Sequence, residues 1–361
     1  MKLKSFLLGS AAAMMAVSTA NAADAVVEDE AVEYVRVCET FGTGYFFIPG
    51  TETCIKIGGD VRVEYKYFDF AEDFGGADGG DGEFRYRARV EVSTAAETDL
   101  GTVTTFARLE GAGNGEEGDF DGAPGDSLFD ARAGISDGVV ALDQAIIGIE
   151  GFSAGYGDNY WSRNIGFGLV GGITDGLYGY GQSIYAEYTY EIAGFAVTAG
   201  IEQFEDGNIT FIPGTPDPAE DVNIYVGANY GASFGSIGAT LYYDNVRDEF
   251  DYNVGVQVKP LEGLNVEAFY LGGEGVYTLN AGGFGADYAY GIGAGYTFGD
   301  VTPYVLYTAT DGAFNDYVSV GAFWQPSGTG LTFQGEVTFF DDADAPGETS
   351  ETYSLRLRRA F

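Results

Sequence analysis

The sequence predicts an all-β fold in which sixteen antiparallel strands close into a transmembrane β-barrel. Three observations predict it: side chains alternate with period two, Gly and aromatic residues are abundant, and the connections alternate between short and long. The 361 residues include 57 Gly, 26 Tyr and 27 Phe, and no His. The mean hydropathy of −0.03 is that of an ordinary soluble protein, because lipid-facing and lumen-facing residues average out in a barrel.

The first strands show the alternation most clearly. Val61, Val63 and Tyr65 alternate with Arg62 and Glu64. In the next strand, apolar residues again alternate with charged ones, in the order Phe84, Arg85, Tyr86, Arg87, Ala88, Arg89 and Val90. A helix would scatter these charges around its circumference, so both segments are predicted as strands with one apolar and one charged face.

The same alternation continues along the chain. It predicts strands at residues 55–68, 83–97, 102–110, 139–150, 152–158, 180–190, 195–204, 222–231, 236–245, 250–259, 264–272, 286–298, 301–310, 316–325, 331–340 and 351–361. An even number of strands is typical of bacterial single-chain barrels, and barrels of about sixteen strands leave an aqueous channel.

The connections between these strands also alternate. Tight turns are predicted at residues 98–101, 151, 191–194, 231–235, 260–263, 299–300 and 326–330, and longer segments at 69–82, 111–138, 205–221, 272–285 and 341–350. Short periplasmic turns and long external loops are the asymmetry expected of an outer-membrane barrel.

The N-terminus predicts export and divides the chain into three parts. Lys2 and Lys4 precede an apolar stretch and the sequence Ala20-Asn21-Ala22, which is typical of a secretory signal peptide. We therefore expect a signal peptide at 1–22, an N-terminal periplasmic-side segment at 23–54 and the transmembrane barrel at 55–361.

The two cysteines, Cys38 and Cys54, both lie in this periplasmic-side segment. In an oxidising compartment they are expected to form a disulfide around the hairpin at 39–53. A metal site is poorly supported because there is no His and no third thiol.

The formal net charge of −38 argues against nucleic acid as a partner. Acid-rich segments such as 69–83 have two interpretations: they bind divalent cations and bridge lipopolysaccharide, or they form a solvated external face. They lack the ligand spacing of a defined calcium loop.

Four blocks of the sequence resemble the porin family of alphaproteobacteria: residues 33–59 (EYVRVCETFGTGYFFIPGTETCIKIGG), 84–92 (FRYRARVEV), 142–159 (LDQAIIGIEGFSAGYGDN) and 355–361 (LRLRRAF). The resemblance implies a homotrimer of 16-stranded barrels in the cell outer membrane, with a third external loop that folds into the barrel. It implies passive diffusion of small hydrophilic solutes and ions, with no enzymatic activity and no cofactor. Phe361, at the end of an alternating strand, resembles the assembly signal of outer-membrane barrels.

Two groups of residues are candidates for controlling the channel. By strand count, the inward loop is the third long connection, at about 159–179, with Tyr160, Trp161, Arg163 and Asp175 as its candidate constriction residues. The second group, the basic arc, consists of arginines at the alternate positions that face the lumen, on the first three strands and the last: Arg62, Arg85, Arg87, Arg89, Arg108, Arg356 and Arg358. Barrel closure brings these strands together. The alternative is that each arginine merely pairs with a neighbouring acid such as Glu64, Glu91 or Glu110.

Other functions remain open at this point. One is a structural or adhesive outer-membrane barrel with a blocked lumen, and another is a barrel enzyme, which the absence of His disfavours. For a channel, we expect weak cation preference set by the acidic external segments.

Overall fold

The computed structural model describes residues 36–69, 82–114, 140–165, 172–173, 181–204, 221–282, 286–312, 316–341 and 349–361. The predicted signal peptide at 1–22 and the candidate residue Asp175 lie outside these ranges. Residues 37–361 belong to one compact unit.

Strands dominate the described residues. They are β1 Phe46–Phe47, β2 Cys54–Asp69, β3 Gly82–Thr98, β4 Gly101–Asn114, β5 Val140–Ile149, β6 Phe152–Asp158, β7 Gln182–Ile192, β8 Phe195–Gln203, β9 Asn223–Ala232, β10 Gly235–Asp244, β11 Glu249–Leu261, β12 Leu264–Gly273, β13 Tyr288–Tyr296, β14 Val301–Thr310, β15 Tyr317–Trp324, β16 Leu331–Asp341 and β17 Thr349–Ala360. Two short helices, α1 Tyr160–Ile165 and α2 Val276–Gly282, interrupt the long connections. Neither of them, nor any other described helix, has the length and apolar character of a membrane span.

Strands β2 to β17 form a closed barrel, as predicted. Each pairs antiparallel with the next along the chain, and β17 returns to pair with β2. At this closure Arg358 lies opposite Arg62, and Ala360 lies opposite Asp60. All sixteen predicted strands are present among the described residues, and β6 and β14 have the predicted ends. The largest difference is at β4, which continues to Asn114.

The period-two pattern separates the two faces of the wall. On β9, Ile224 and Val226 are 54% and 45% exposed on the lipid side, whereas Asn223 and Tyr225 are 0% and 2% exposed on the lumen side. Aromatic pairs occupy both ends of the lipid face. At one end these include Tyr65–Phe84, Tyr243–Phe250 and Tyr270–Tyr288, and at the end with the tight turns Phe195–Tyr230 and Trp324–Phe333. Such girdles mark the two membrane interfaces.

The cysteine hairpin adjoins the start of the barrel. Cys38 and Cys54 form the predicted disulfide, with their Cα atoms 6.1 Å apart. Within the hairpin, β1 pairs antiparallel with the first residues of β2. The disulfide and this short ladder together hold the hairpin against β2.

Candidate functional site

The basic arc lies on the lumen face of four adjacent strands, β17, β2, β3 and β4. Arg358, Arg62 and Arg87 face one another in a single row across β17, β2 and β3. Like charges directly opposite each other on a sheet repel. The row is therefore stable only if acidic side chains lie close to it.

Buried acids supply that compensation. Asp60 accepts a hydrogen bond from Nη2 of Arg358 at 2.9 Å and lies 3.6 Å from Nη2 of Arg87. Glu64 accepts one from Nε of Arg356. Further ion pairs of the arc join Arg85 to Glu83, Arg87 and Arg89 to Glu110, and Arg108 to Asp143 and Asp158. The arc and the pairing with lumen acids are thus both present, although the acids include Asp60 and Asp143, which sequence analysis did not name.

The third connection, residues 159–181 between β6 and β7, enters the lumen at α1. Asn159 caps this helix, since its side-chain oxygen accepts the backbone N–H of Ser162 at 3.1 Å. Tyr160 stacks on Tyr225 of the lumen wall, with ring centroids 5.1 Å apart. Trp161 is only 1% exposed. These contacts hold α1 against the inner face of β9, β10 and β11.

Two glycines on the wall make room for α1. A Cβ on Gly238 would lie 2.3 Å from the backbone oxygen of Asn164, and one on Gly227 would lie 2.3 Å from the ring of Tyr160. At this close approach the Asn164 amide donates to the carbonyl of Ala239 at 2.8 Å. The helix and the wall are therefore in direct backbone contact.

Arg163 binds the wall through its charge. Its guanidinium donates two hydrogen bonds to Glu187, at 3.0 and 3.1 Å, and a third to the carbonyl of Asp158 at 2.8 Å. Burial alone would lower the pKa of Arg163, but the hydrogen bonds and charge of Glu187 outweigh burial and raise that pKa above its ordinary value. Arg163 therefore stays charged and fixes the last turn of α1.

The far part of the third connection reaches a different wall of the barrel. The backbone N–H of Ile173 donates to Glu336 on β16 at 2.7 Å, and the hydroxyl of Tyr304 donates to the same carboxylate at 2.6 Å. Just before β7, the carbonyl of Gly181 accepts a hydrogen bond from the backbone N–H of Asn159 at 3.0 Å. The third connection is thus attached at β9–β11 and at β16, beside the basic arc.

Helix α2 corrects one prediction. Sequence analysis assigned 272–285 to a long external loop, but α2 places Val276 and Tyr277 in the barrel interior, both buried. Tyr277 stacks on Trp161 with ring centroids 4.5 Å apart and planes 4° from parallel. Burial, and then the nearby carboxylate of Glu202, raise the pKa of Tyr277 well above its ordinary value, so its hydroxyl remains a donor. The available sequence signal was the apolar group Val276, Tyr277 and Leu279 within a Gly-rich segment.

Comparisons with known proteins agree with this architecture. The family model described as "Porin subfamily" matches residues 24–354. Porin Omp2b of Brucella neotomae is 33% identical over 326 residues, 86% of this chain and 85% of that protein. Porin Omp2b of Brucella suis is 36% identical over 260 residues, 69% of this chain and 68% of that protein.

Solved structures show the same fold. A mutant porin of Rh. blastica aligns with a TM-score of 0.54 and 17% identity, over 85% of this chain and 100% of that one. The outer membrane channel DcaP of Acinetobacter baumannii aligns with a TM-score of 0.64 and 14% identity, over 87% of this chain and 99% of that one. Since the family model and the Brucella relatives cover most of the sequence, the chain belongs to the porin family and forms a passive diffusion channel in the outer membrane.

Proposed function

We propose that small hydrophilic solutes and ions pass along the basic arc, and that the third connection narrows the passage beside it. The observation that carries this proposal is the attachment of the third connection at two separate walls, through α1 at β9–β11 and through Ile173 at β16. A segment held at both walls keeps its place while solutes diffuse past. Selection then depends on the width and charge of the remaining opening, and no catalytic group is needed.

The charge of the opening is nearly balanced. The seven arginines of the arc lie among six acids that pair with them, so this wall carries little net charge: Asp60, Glu64, Glu83, Glu110, Asp143 and Asp158. The acid-rich external segments act mainly on ion concentration at the entrance, because the Debye length at physiological salt is about 8 Å. We therefore propose weak cation preference that is strongest at low salt.

The partners we propose are two further copies of this chain in a homotrimer and, at the acidic external segments, lipopolysaccharide held through divalent cations. The rival function is a structural or adhesive barrel with a blocked lumen. The observation that favours the rival is the buried aromatic cluster around Trp161 and Tyr277, which fills part of the lumen. Charged residues on the opposite wall favour water there instead.

Conductance decides between these functions. Purified protein in a planar bilayer should open in three equal steps, and its reversal potential across a KCl gradient should show weak cation preference. Folded, heat-modifiable protein that inserts without conductance would establish the blocked lumen. Single steps without threefold grouping would contradict the trimer, and anion preference that persists at low salt would contradict the proposed balance of charge.

A further inference from the structure

The sixth connection on the rim opposite the tight turns, residues 274–287 between β12 and β13, also sends a helix into the lumen. Val276, Tyr277 and Thr278 of α2 are all buried, at 1% exposure or less. They pack into an apolar cluster formed by α1, α2 and the inner faces of several strands: Tyr160, Trp161, Phe204, Tyr225, Tyr242, Phe269, Leu271, Val276, Tyr277, Ala281, Ala289, Leu306 and Tyr317. The lumen beside β8–β13 is therefore filled with side chains.

Two buried carboxylates hold the beginning of α2. Asp251 accepts the backbone N–H groups of Gly275 and Tyr277, at 3.0 and 2.8 Å, and the hydroxyl of Thr278 at 2.7 Å. Asp244 accepts the N–H of Val276 at 3.0 Å. The first N–H groups of a helix have no partner within it, and buried N–H groups without partners destabilise a fold. These four bonds therefore fix α2 to the wall.

Tyr277 connects α2 to α1. Its ring lies between Trp161, on which it stacks, and Tyr242, which it meets edge-to-face at a centroid distance of 4.5 Å. Its hydroxyl donates to the buried carboxylate of Glu202. Asn164 attaches α1 to the wall at Gly238 and Ala239, and Tyr277 adds a second attachment through the ring of Trp161.

We propose that the sixth connection sets the width of the channel, with Tyr277 acting as a positioning residue for α1 through Trp161. The inference rests on the proposed function, in which the third connection narrows the passage. If Tyr277 is truncated, a void opens next to Trp161, and α1 shifts towards it because apolar side chains close unfilled space. A shift of α1 changes the distance between α1 and the basic arc, and with it the width of the passage.

The test compares three variants in planar bilayers and in liposomes swollen by neutral oligosaccharides of increasing size. Tyr277→Ala should change both the mean conductance and the largest sugar that enters. Tyr277→Phe keeps the stacking and loses only the bond to Glu202, so it should restore native values. Tyr252→Ala is the matched control. Tyr252 lies on the lipid face of β11, so this substitution removes a ring that does not contact α1 or α2.

Fluorescence gives a second measurement. Trp161 and Trp324 are the two tryptophans of the chain, so a Trp324→Phe background isolates Trp161. Its emission should move to longer wavelength in Tyr277→Ala and stay native in Tyr277→Phe.

Assembled Tyr277→Ala protein with native conductance, sugar limit and emission would overturn the inference. If Tyr277→Ala fails to assemble, Asp251→Asn weakens the attachment of α2 without creating a void. It should then show larger current fluctuations than native protein, and a native trace would overturn the inference. A native protein that does not conduct would instead refute the proposed function, so the two failures are distinguishable.

Discussion

The two halves of the lumen share the same wall geometry and differ in what fills them. On β17, β2, β3 and β4 the inward side chains include arginines and acids in ion pairs. On β8–β13 they include tyrosines, glycines and small polar residues beneath two helices, together with the carboxylates Glu202, Asp244 and Asp251 that bind α2. The position of a residue in the alternating pattern therefore determines only that its side chain faces the lumen and not the lipid. Whether it then meets water or protein depends on the connections that enter the barrel.

The charges and glycines explain why the helices occupy only one half. The paired arginines cost several kcal/mol to bury without good partners, so they exclude an apolar helix from their wall. Gly227 and Gly238 leave the opposite wall without side chains at the places where α1 approaches. Arginines on one side and missing side chains on the other thus direct the two helices to β8–β13.

Loss of Phe361 should have the largest effect, because it acts on the closure that holds both halves. The backbone N–H and carbonyl of Phe361 bond to Gly59 on β2, at 3.0 and 3.1 Å. Deleting Phe361 removes these bonds and the aromatic end proposed as an assembly signal. Heat-modifiable trimer in isolated outer membranes should fall sharply, while Phe361→Trp should assemble. Normal assembly of the deleted chain would make the proposed signal wrong.

A smaller effect is expected when the helix-filled half is disturbed. Gly238→Ala places a methyl group against the backbone of α1, and overpacking of this kind costs about 1–3 kcal/mol. Gly231→Ala is the matched control, since a Cβ there has nothing within 4 Å. Thermal unfolding of the two variants should separate them, with Gly238→Ala the less stable. Equal melting temperatures would mean that α1 does not pack against β10 in solution.

The smallest effect is expected in the charged half. Arg87→Gln removes one positive charge from the lumen wall and should increase cation preference. A unit charge acting at ~4 Å through water contributes at most about 1 kcal/mol, and Asp60 and Glu110 reduce the effect further. Reversal potentials across a KCl gradient measure the change. Lys259→Gln removes the same charge at the exposed end of β11 and should leave ion selectivity native. Equal shifts of the reversal potential in both variants would mean that the arc does not line the proposed passage.

The strands were predictable because each repeats one simple rule over many residues. The lipid face requires an apolar residue at every second position, and this alternation predicts both the first and the last residue of β6. Helix α1 has six residues, too few for helical periodicity to appear, and its stability comes from the wall rather than from helix propensity. Tertiary contact likewise selects the partners of the arginines. Arg108 pairs with Asp143 on β5, a choice that depends on strand register and not on sequence spacing.

The hairpin at the start of the barrel has a consequence for unwanted association between chains. β17 pairs with β2 only as far as Asp60, and Phe361 extends this contact to Gly59, so the first residues of β2 project beyond the closing strand. An open strand edge pairs readily with strands of other molecules. Here β1 pairs with Cys54 and Ile55, and the disulfide fastens it at the same place. The disulfide thus keeps β1 paired with the exposed edge of β2, where the barrel closes, and protects this edge from pairing with other chains.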